Sequence, residues 1–248
     1  MVVREVRWGD GPDHVADLHL PLEEGRFTTE HGTPCVMLLH GGFWRKAYDR
    51  SLMTPLAEHF AKQGLIVWNV EYKRWSEDDE GVWQDTVSDV LRAWGHVELL
   101  EGVDPLRSMV MGHSAGGHLA LLIASLAERK PWLCVAQAPI SDTVAADAAG
   151  LSDGGDATRR WAGSPSTSGA PPWTDLNPIN LAPSTSLLVA HGDLDLDVPP
   201  TMSEAFVRRM RAQGAAVEHL RLDADHYSII DPASKGTLPL LDAVLGWL

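Results

Sequence analysis

The chain has little of several features that define other classes of protein. It contains only two cysteines in 248 residues, so no framework of disulfides is expected. No uncharged run approaches the length that spans a bilayer, and the N-terminus lacks the apolar segment of a signal peptide. These absences predict a cytoplasmic protein without a membrane partner, in which Cys35 and Cys134 are reduced thiols of the core.

Positive charge is also scarce. Lysine and arginine number 20 against 34 aspartates and glutamates, which gives a formal net charge of -14. Such a chain repels a phosphate backbone, so nucleic acid is not expected as a partner. The sequence has no H-E-x-x-H or C-x-x-C spacing, and we therefore expect neither a metal nor another cofactor. Tryptophan is abundant by contrast, with ten residues, several of them near the motifs described below.

Short β-rich runs alternate along the chain with longer helical ones. This alternation predicts an α/β fold, a mostly parallel central sheet with helices on both faces, after an opening antiparallel pair at 2–8 and 14–20. The length suits a single domain over 1–248. Residues 141–183, rich in Ala, Gly, Ser, Pro and Asp, break the alternation and predict a short, partly helical lid insertion, with a disordered linker as the alternative. The sequence leaves a homodimer open.

A G-x-S-x-G pentapeptide lies at residues 112–116, between a strand-like apolar run and a helix-like run. A serine raised on a turn between a strand and a helix takes strained backbone angles, and small residues two places before and after it relieve the crowding. The following helix directs its free N–H groups towards an anion formed beside the serine. We therefore predict that Ser114 is a nucleophile. The alternative is a glycine-rich helix start with an incidental serine.

A serine hydroxyl needs a base that accepts its proton and a third group that orients the base. Two loops that each follow a predicted strand offer both, because three aspartates alternate at Asp193, Asp195 and Asp197, and His226 follows the next strand. His226 is preferred to His219, which falls inside the predicted strand. The aspartate spacing also matches part of a calcium loop, but the glycine and the preceding helix of that motif are missing.

Upstream, residues 38–44 end a buried strand in a glycine turn, His-Gly-Gly-Phe-Trp. Acyl transfer places negative charge on the carbonyl oxygen, and backbone N–H groups in such a turn can stabilise it. We assign this oxyanion hole to the N–H groups of Gly42 and Phe43 together with that of Ala115. The alternative is an ordinary turn at a strand end.

Taken together, these motifs resemble the α/β-hydrolase superfamily. The similarity rests on residues 40–44, 112–118 and the H-G-x-x-D-x-x-V-P match at 191–199, and the order Ser, Asp, His along the chain is the α/β-hydrolase order. Within the superfamily the chain is most similar to the hormone-sensitive-lipase-like esterases and to the kynurenine formamidase group, which has an aromatic residue and Trp after H-G-G. The resemblance implies that Asp195 is the acid of the triad.

The resemblance implies a serine hydrolase that cleaves a small carboxylic ester, or an N-formyl arylamide, through an acyl-enzyme intermediate. A tentative substrate pocket is assigned to Trp44, Trp161, Trp173 and Tyr227, with filling of the core as the alternative for the tryptophans. Two other functions stay open: a non-catalytic small-molecule receptor on the same fold, and a small peptidase, which is less favoured because 248 residues leave no room for a gating domain.

Overall fold

The computed structural model describes residues 1–23, 25–163 and 174–248 of the chain. In these ranges the strands are β1 (Val2–Arg7), β2 (Val15–Leu20), β3 (Thr33–Leu39), β4 (Ile66–Val70), β5 (Val103–His113), β6 (Leu133–Gln137), β7 (Ser186–Gly192) and β8 (Val217–Leu222). The α-helices are α1 (Thr54–Lys62), α2 (Trp83–His96), α3 (Ala115–Leu126), α4 (Thr143–Ala148), α5 (Ala157–Ala162), α6 (Pro200–Ala212) and α7 (Leu238–Gly246).

All eight strands of the described ranges join one sheet in the order β1-β2-β4-β3-β5-β6-β7-β8. β2 is antiparallel to both of its neighbours, and every other neighbouring pair is parallel. The mostly parallel sheet and its opening antiparallel pair are as the sequence predicts. Because the strands from β3 to β8 are parallel, their carboxyl ends share one edge, and the loops that follow β3, β5, β7 and β8 meet there.

The core lies on both faces of the sheet. Successive side chains of β3 point to opposite faces, so that Met37 packs on one side and Val36 and Leu38 pack on the other. Helices α2, α3 and α6 bury their apolar sides on the first face, and α1 and α7 bury theirs on the second. A strand covered on both faces reads as a continuous apolar run, and this is why β3 stands out in the sequence.

Some helices and strands begin or end at other residues than the sequence predicts, because regular α or β geometry is lost gradually at their ends. The sequence pattern of residues 51–63 predicts a helix, and in the structure it begins with a 3₁₀ turn, Arg50–Met53. The pattern of residues 82–100 predicts another helix, which ends in a 3₁₀ turn, Val97–Leu99. The pattern of residues 108–111 predicts a strand, and these residues belong to β5, which starts at Val103. The sequence hides that start because Pro105 and Arg107 interrupt the apolar pattern, and the pairing of β3 with β5 shifts register beyond Pro34.

Residues 141–183 leave the sheet after β6 and return at β7. Among the described residues of this segment, α4 and α5 are joined by a turn at 149–156, and 3₁₀ turns occur at Thr174–Leu176 and Pro178–Asn180. Asp142 caps α4, because its side chain accepts hydrogen bonds from the backbone N–H groups of Val144 and Ala145.

Both cysteines are fully buried and free. Burial raises the pKa of the Cys35 thiol to about 12, so this sulfur stays protonated at neutral pH. None of the described helices is both long enough and apolar enough to cross a membrane.

Candidate active site

Ser114 lies on a sharp turn between β5 and α3. Its backbone angles, φ 55° and ψ -116°, are rare for a residue with a side chain, and they are fixed from both sides. The Ser114 N–H donates to the carbonyl oxygen of Gln137 at 2.8 Å, and its carbonyl oxygen accepts from the N–H of His118 at 3.0 Å. The turn is therefore anchored to the end of β6 and to the first turn of α3.

The glycines of the pentapeptide are required by close backbone contacts. A Cβ atom on Gly112 would lie 2.1 Å from the carbonyl oxygen of Gly116, and a Cβ atom on Gly116 would lie 2.1 Å from that of Leu39. The first contact closes the turn on itself. The second presses it against the end of β3, so that the elbow and the glycine turn after β3 touch.

The base and the acid expected from the sequence are in contact. His226, on the loop after β8, lies with its Nδ1 2.6 Å from Oδ2 of Asp195, on the loop after β7. The second carboxylate oxygen of Asp195 accepts hydrogen bonds from the backbone N–H groups of Asp197 and Val198, each at 2.9 Å. Both side chains are buried, and the imidazole is therefore held in one orientation by a carboxylate that is itself held by the loop.

The carboxylate of Asp195 is stabilised in its ionised form. Burial alone raises the pKa of this group, but hydrogen bonds from His191, His226 and the backbone outweigh it and hold the pKa well below its ordinary value. His191 Nε2 lies 3.2 Å from Oδ2 of Asp195. Asp195 therefore stays negative across the neutral range and faces the Nδ1 side of His226.

Neighbouring aspartates have other partners. Asp193 forms an exposed ion pair with Arg221 at 2.7 Å, and Asp225 accepts from the backbone N–H groups of Tyr227 and Ser228 in its own turn. Asp197 accepts from the Tyr227 hydroxyl at 3.3 Å. Among these four acids, Asp195 is the one whose carboxylate contacts the His226 ring.

Ser114 Oγ is buried and has no hydrogen-bond partner within the described part of the chain. It lines one cleft together with His113 and His226. Hydrogen bonds between a nucleophile and its base are often long in the absence of substrate and shorten in the substrate complex. Ser114 and His226 therefore adjoin one cleft, with Asp195 behind His226, while the hydrogen bond from serine to histidine is not made in this structure.

His113 braces the backbone of His226 through a ring hydrogen bond. Burial lowers the pKa of His113 to about 3, so the ring is neutral, and its Nε2 lies 2.8 Å from the carbonyl oxygen of His226. Because a carbonyl accepts only, the single ring proton is on Nε2 and is donated to that oxygen. The residue before the nucleophile thereby fixes the backbone of the residue expected to be the base.

The backbone of the glycine turn after β3 is strained, as expected for a loop whose N–H groups point towards a bound oxygen atom. Gly42, Phe43 and Trp44 all have positive φ angles, of 106°, 50° and 57°. Among the described residues no acceptor takes the N–H groups of Gly42, Phe43 or Ala115. These three N–H groups, which are predicted to form the oxyanion hole, therefore have no acceptor within the described residues. They lie on two segments that contact each other.

A buried ionic network supports this turn from behind. His40 lies with Nε2 2.8 Å from Glu71 and Nδ1 2.7 Å from the carbonyl oxygen of Gly41. Arg74 pairs with the same glutamate oxygen at 3.1 Å, and the Tyr72 hydroxyl donates to the carbonyl oxygen of His40 at 2.7 Å. Glu71 and Arg74 therefore form a structural ion pair behind the glycine turn.

The cleft above Ser114 is small, with a cavity volume of about 80 Å³. It is lined by Gly42, Phe43, Arg45, Tyr48, Leu52, His113, Ser114, Asp153, Asp197, His226, Tyr227 and Ile230. Tyr227 was predicted for the pocket and lies there, with 62% of its surface exposed. Arg45, Tyr48 and Asp153 were not singled out from the sequence. Arg45 directly follows the His-Gly-Gly-Phe-Trp turn, but no motif marks Tyr48 or Asp153, and only the fold brings the three side chains to one cleft.

The prediction that Trp44 and Trp161 line the pocket is wrong. Both are fully buried, and their rings stack on each other with centroids 4.4 Å apart. His118 meets both rings edge-on, at 5.2 and 5.1 Å. The positive φ of Trp44 turns its side chain away from the cleft, where it joins the glycine turn, α3 and α5 in one aromatic cluster. The fourth predicted pocket residue, Trp173, lies outside the described residues.

Among the described residues, no group of three or more His, Cys, Asp or Glu side chains is arranged to hold a metal ion. The chemistry available at the cleft is that of a serine hydroxyl, an oriented imidazole and free backbone N–H groups.

The sheet order, the strained serine turn after β5 and the acid and histidine loops after β7 and β8 define an α/β-hydrolase. The family model that matches the chain is that of the prolyl oligopeptidase family, over residues 71–248. The chain belongs to this family. It also has the fold of a solved esterase from Thermogutta terrifontis, Est2, with a TM-score of 0.74 at 20% identity, over 98% of this chain and 91% of that one.

Two curated relatives are similar over shorter stretches. A probable carboxylic ester hydrolase of Mycobacterium tuberculosis, LipM, is 34% identical over 94 residues, which are 37% of this chain and 21% of the relative. A kynurenine formamidase of Salmo salar is 28% identical over 127 residues, 48% of this chain and 37% of the relative. The chain therefore spans well under half the length of these relatives. Fold and family together place the chain in the α/β-hydrolase superfamily.

Proposed function

We propose that the protein is a serine hydrolase that cleaves small carboxylic esters through an acyl-enzyme intermediate. The observation that carries the proposal is the meeting of the strained Ser114 elbow and the Asp195–His226 pair at one cleft. Ser114 attacks the carbonyl carbon while His226 Nε2 accepts its proton and later passes it to the leaving group. Asp195 keeps the Nδ1 proton of His226 in place and stabilises the imidazolium that forms.

Negative charge develops on the carbonyl oxygen during the attack. The N–H groups of Gly42, Phe43 and Ala115 are proposed to receive it, each contributing about 3 kcal/mol in the transition state. Water then enters the cleft, and His226 removes its proton as it attacks the acyl-enzyme. The carboxylic acid leaves and Ser114 regains its proton.

A narrower form of the proposal is that the substrate is an N-formyl arylamide. The small cleft volume and the position of Phe43 beside Ser114 favour a short acyl group, and formyl is the shortest. The similarity to a kynurenine formamidase supports this reading, as the similarity to a carboxylic ester hydrolase supports esters.

The test compares substrates on the purified protein, with Ser114→Ala as the control. We expect 4-nitrophenyl acetate to be hydrolysed faster than the butyrate ester, and both activities to disappear in Ser114→Ala. Turnover of N-formylkynurenine at a higher kcat/KM than the acetate identifies a formamidase, and its absence identifies an esterase. Hydrolysis of neither substrate, or equal hydrolysis by Ser114→Ala, contradicts the proposal. Absence of any turnover that depends on Ser114 would favour the small-molecule receptor.

A peptidase is the second candidate, because the family that includes this chain is named for oligopeptidases. The contrast that decides it is a peptide amide against an ester with the same acyl group. Ester cleavage without amide cleavage excludes the peptidase.

A further inference from the structure

We propose that Arg45 binds a carboxylate on the substrate, so that the natural substrate is an anionic ester or amide. The inference rests on the proposed hydrolase function and adds the charge of the substrate. Arg45 carries the only permanent positive charge among the described residues that line the cleft of Ser114. It also lines a second groove on its other side, with Lys46 and Trp75, and so it stands at the border of the cleft.

The backbone of Arg45 is fixed. Its N–H donates to the carbonyl oxygen of Gly42 at 3.0 Å, and the flanking residues Trp44 and Lys46 are hydrogen bonded to the backbone of Trp75, each at 2.9 Å. Arg45 therefore has a fixed backbone position directly after the predicted oxyanion turn. A side chain that starts from such a position reaches a defined place relative to Ser114.

The guanidinium of Arg45 lies beside two aromatic rings, and one of its N–H groups has no hydrogen-bond acceptor within the described residues. The central carbon lies 5.9 Å from the ring centre of Phe43 and 5.7 Å from that of Trp75. Nε is buried and has no hydrogen-bond partner within the described ranges. A buried guanidinium N–H without an acceptor is costly, and a carboxylate that replaces Asp153 at Nη1 stabilises the charge of this group by a charge-assisted hydrogen bond.

Arg45 does make one side-chain contact, and that contact is weak. Nη1 lies 3.4 Å from Oδ2 of Asp153, whose side chain is 94% exposed, while that of Arg45 is 19% exposed. Exposed ion pairs of this length contribute little. Asp153 lies in the turn between α4 and α5, so it is a replaceable partner that occupies the cleft border where a substrate carboxylate would bind.

Arg45 is the one permanent cation in an otherwise acidic lining, as the described residues have it. The net charge of the chain is -14, so an anionic substrate can bind at this cleft only where a cation offsets the negative potential. The remaining acid that lines the cleft with Asp153 is Asp197, which accepts from the hydroxyl of Tyr227. Arg45 is therefore the local counter-charge that an anionic substrate requires.

The test measures preference with two matched pairs of esters. One pair places the carboxylate on a short acyl group (monomethyl succinate against methyl butyrate), and the other places it on the leaving group (4-acetoxybenzoate against its methyl ester). In Arg45→Met, we expect the ratio of kcat/KM, anionic over neutral, to fall about 10–100-fold in one pair. Arg45→Lys keeps the charge but not the planar fork and should give an intermediate ratio.

Two further variants separate direct contact from general charge. Lys46→Met removes the neighbouring exposed positive charge and should keep the ratio. Asp153→Asn removes the competing carboxylate and should raise kcat/KM for the anionic ester about 2–5-fold. An equal fall in the ratio for Lys46→Met, or an unchanged ratio for Arg45→Met in both pairs, overturns the proposal for Arg45.

Labelling of Ser114 by a fluorophosphonate distinguishes this failure from failure of the hydrolase function. If Ser114 is labelled and the ratio does not depend on Arg45, the Arg45 proposal alone is wrong. If Ser114 is neither labelled nor needed for turnover, the hydrolase proposal fails and the Arg45 proposal fails with it.

Discussion

Single side chains decide which acid of the candidate site can work with His226. Three aspartates alternate on the loop after β7, and their environments differ sharply. Asp195 is buried and accepts two backbone hydrogen bonds besides its contact with His226, whereas Asp193 is exposed and paired with Arg221. A carboxylate can orient an imidazole only when it is itself held in place.

We therefore predict different outcomes for two chemically identical substitutions. Asp195→Asn should lower kcat for 4-nitrophenyl acetate about 10³–10⁴-fold, because the amide no longer stabilises the required tautomer and the imidazolium of His226. Asp193→Asn on the same loop should leave kcat within about twofold, since surface changes of this kind have small effects. Steady-state kinetics with circular dichroism as a folding check makes the comparison. Equal losses in the two variants would show that the loop as a whole, and not Asp195, is required.

The sequence predicts the positions of Ser114, Asp195 and His226 because each stands in a motif after a strand. It does not predict the environment of the tryptophans. The sequence positions of Trp44 and Trp161 do not say which side of a loop each ring faces. The positive φ angles at residues 43 and 44 turn the ring of Trp44 into the core. Arg45 and Asp153, which are distant in sequence, meet only through the fold of the 141–183 segment.

At the scale of elements, the site depends on the contact between the elbow and the turn after β3. Gly116, in the first turn of α3, lies directly against the end of β3, and the free N–H groups proposed for the oxyanion come from these two segments. The aromatic cluster of Trp44, Trp161 and His118 ties the same turn to α3 and α5. Packing of the elements thus sets the geometry of the donors.

Substitutions of glycine test this contact. Gly116→Ala should destabilise the protein by about 3 kcal/mol, because the new Cβ would lie 2.1 Å from a carbonyl oxygen and the two segments must separate. Gly95→Ala is the matched control in the exposed part of α2, where nothing lies within 4 Å of the added Cβ. It should stabilise by about 0.5–1 kcal/mol. Urea unfolding measures both, and a Gly116→Ala protein as stable as the unmodified one would disprove the close contact.

A second substitution tests the location of Trp161. If the ring is part of the core, Trp161→Ala should cost about 3–5 kcal/mol of unfolding free energy. Trp132→Ala, at a tryptophan that is 47% exposed, should cost clearly less. Thermal or urea unfolding gives the comparison. Unchanged stability with an altered KM for ester substrates would instead restore the pocket role that the sequence suggested.

For the whole molecule, the buried histidines link stability to pH. Burial lowers the pKa of His113 and of His118 to about 3, from an ordinary value of 6.5. Between these values the unfolded chain binds one more proton at each site than the folded chain does. The unfolding free energy therefore rises with pH through this window, and stability that is present above pH 6.5 is lost as the pH falls towards 3.

The measurement is the slope of unfolding free energy against pH between 4 and 6. His118→Asn should reduce this slope by about 1.4 kcal/mol per pH unit, the contribution of one proton. His31→Asn, at a side chain that is 76% exposed, serves as the control and should keep the slope. If the slope does not change in His118→Asn, His118 is not held neutral by burial.

The central claim is that Ser114 is an activated nucleophile, and mass spectrometry after treatment with a fluorophosphonate tests it most directly. The account predicts one adduct, on the peptide that contains Ser114, absent in Ser114→Ala and formed much more slowly in Asp195→Asn and His226→Ala. An adduct on another residue, or none at all on the folded protein, would contradict the account.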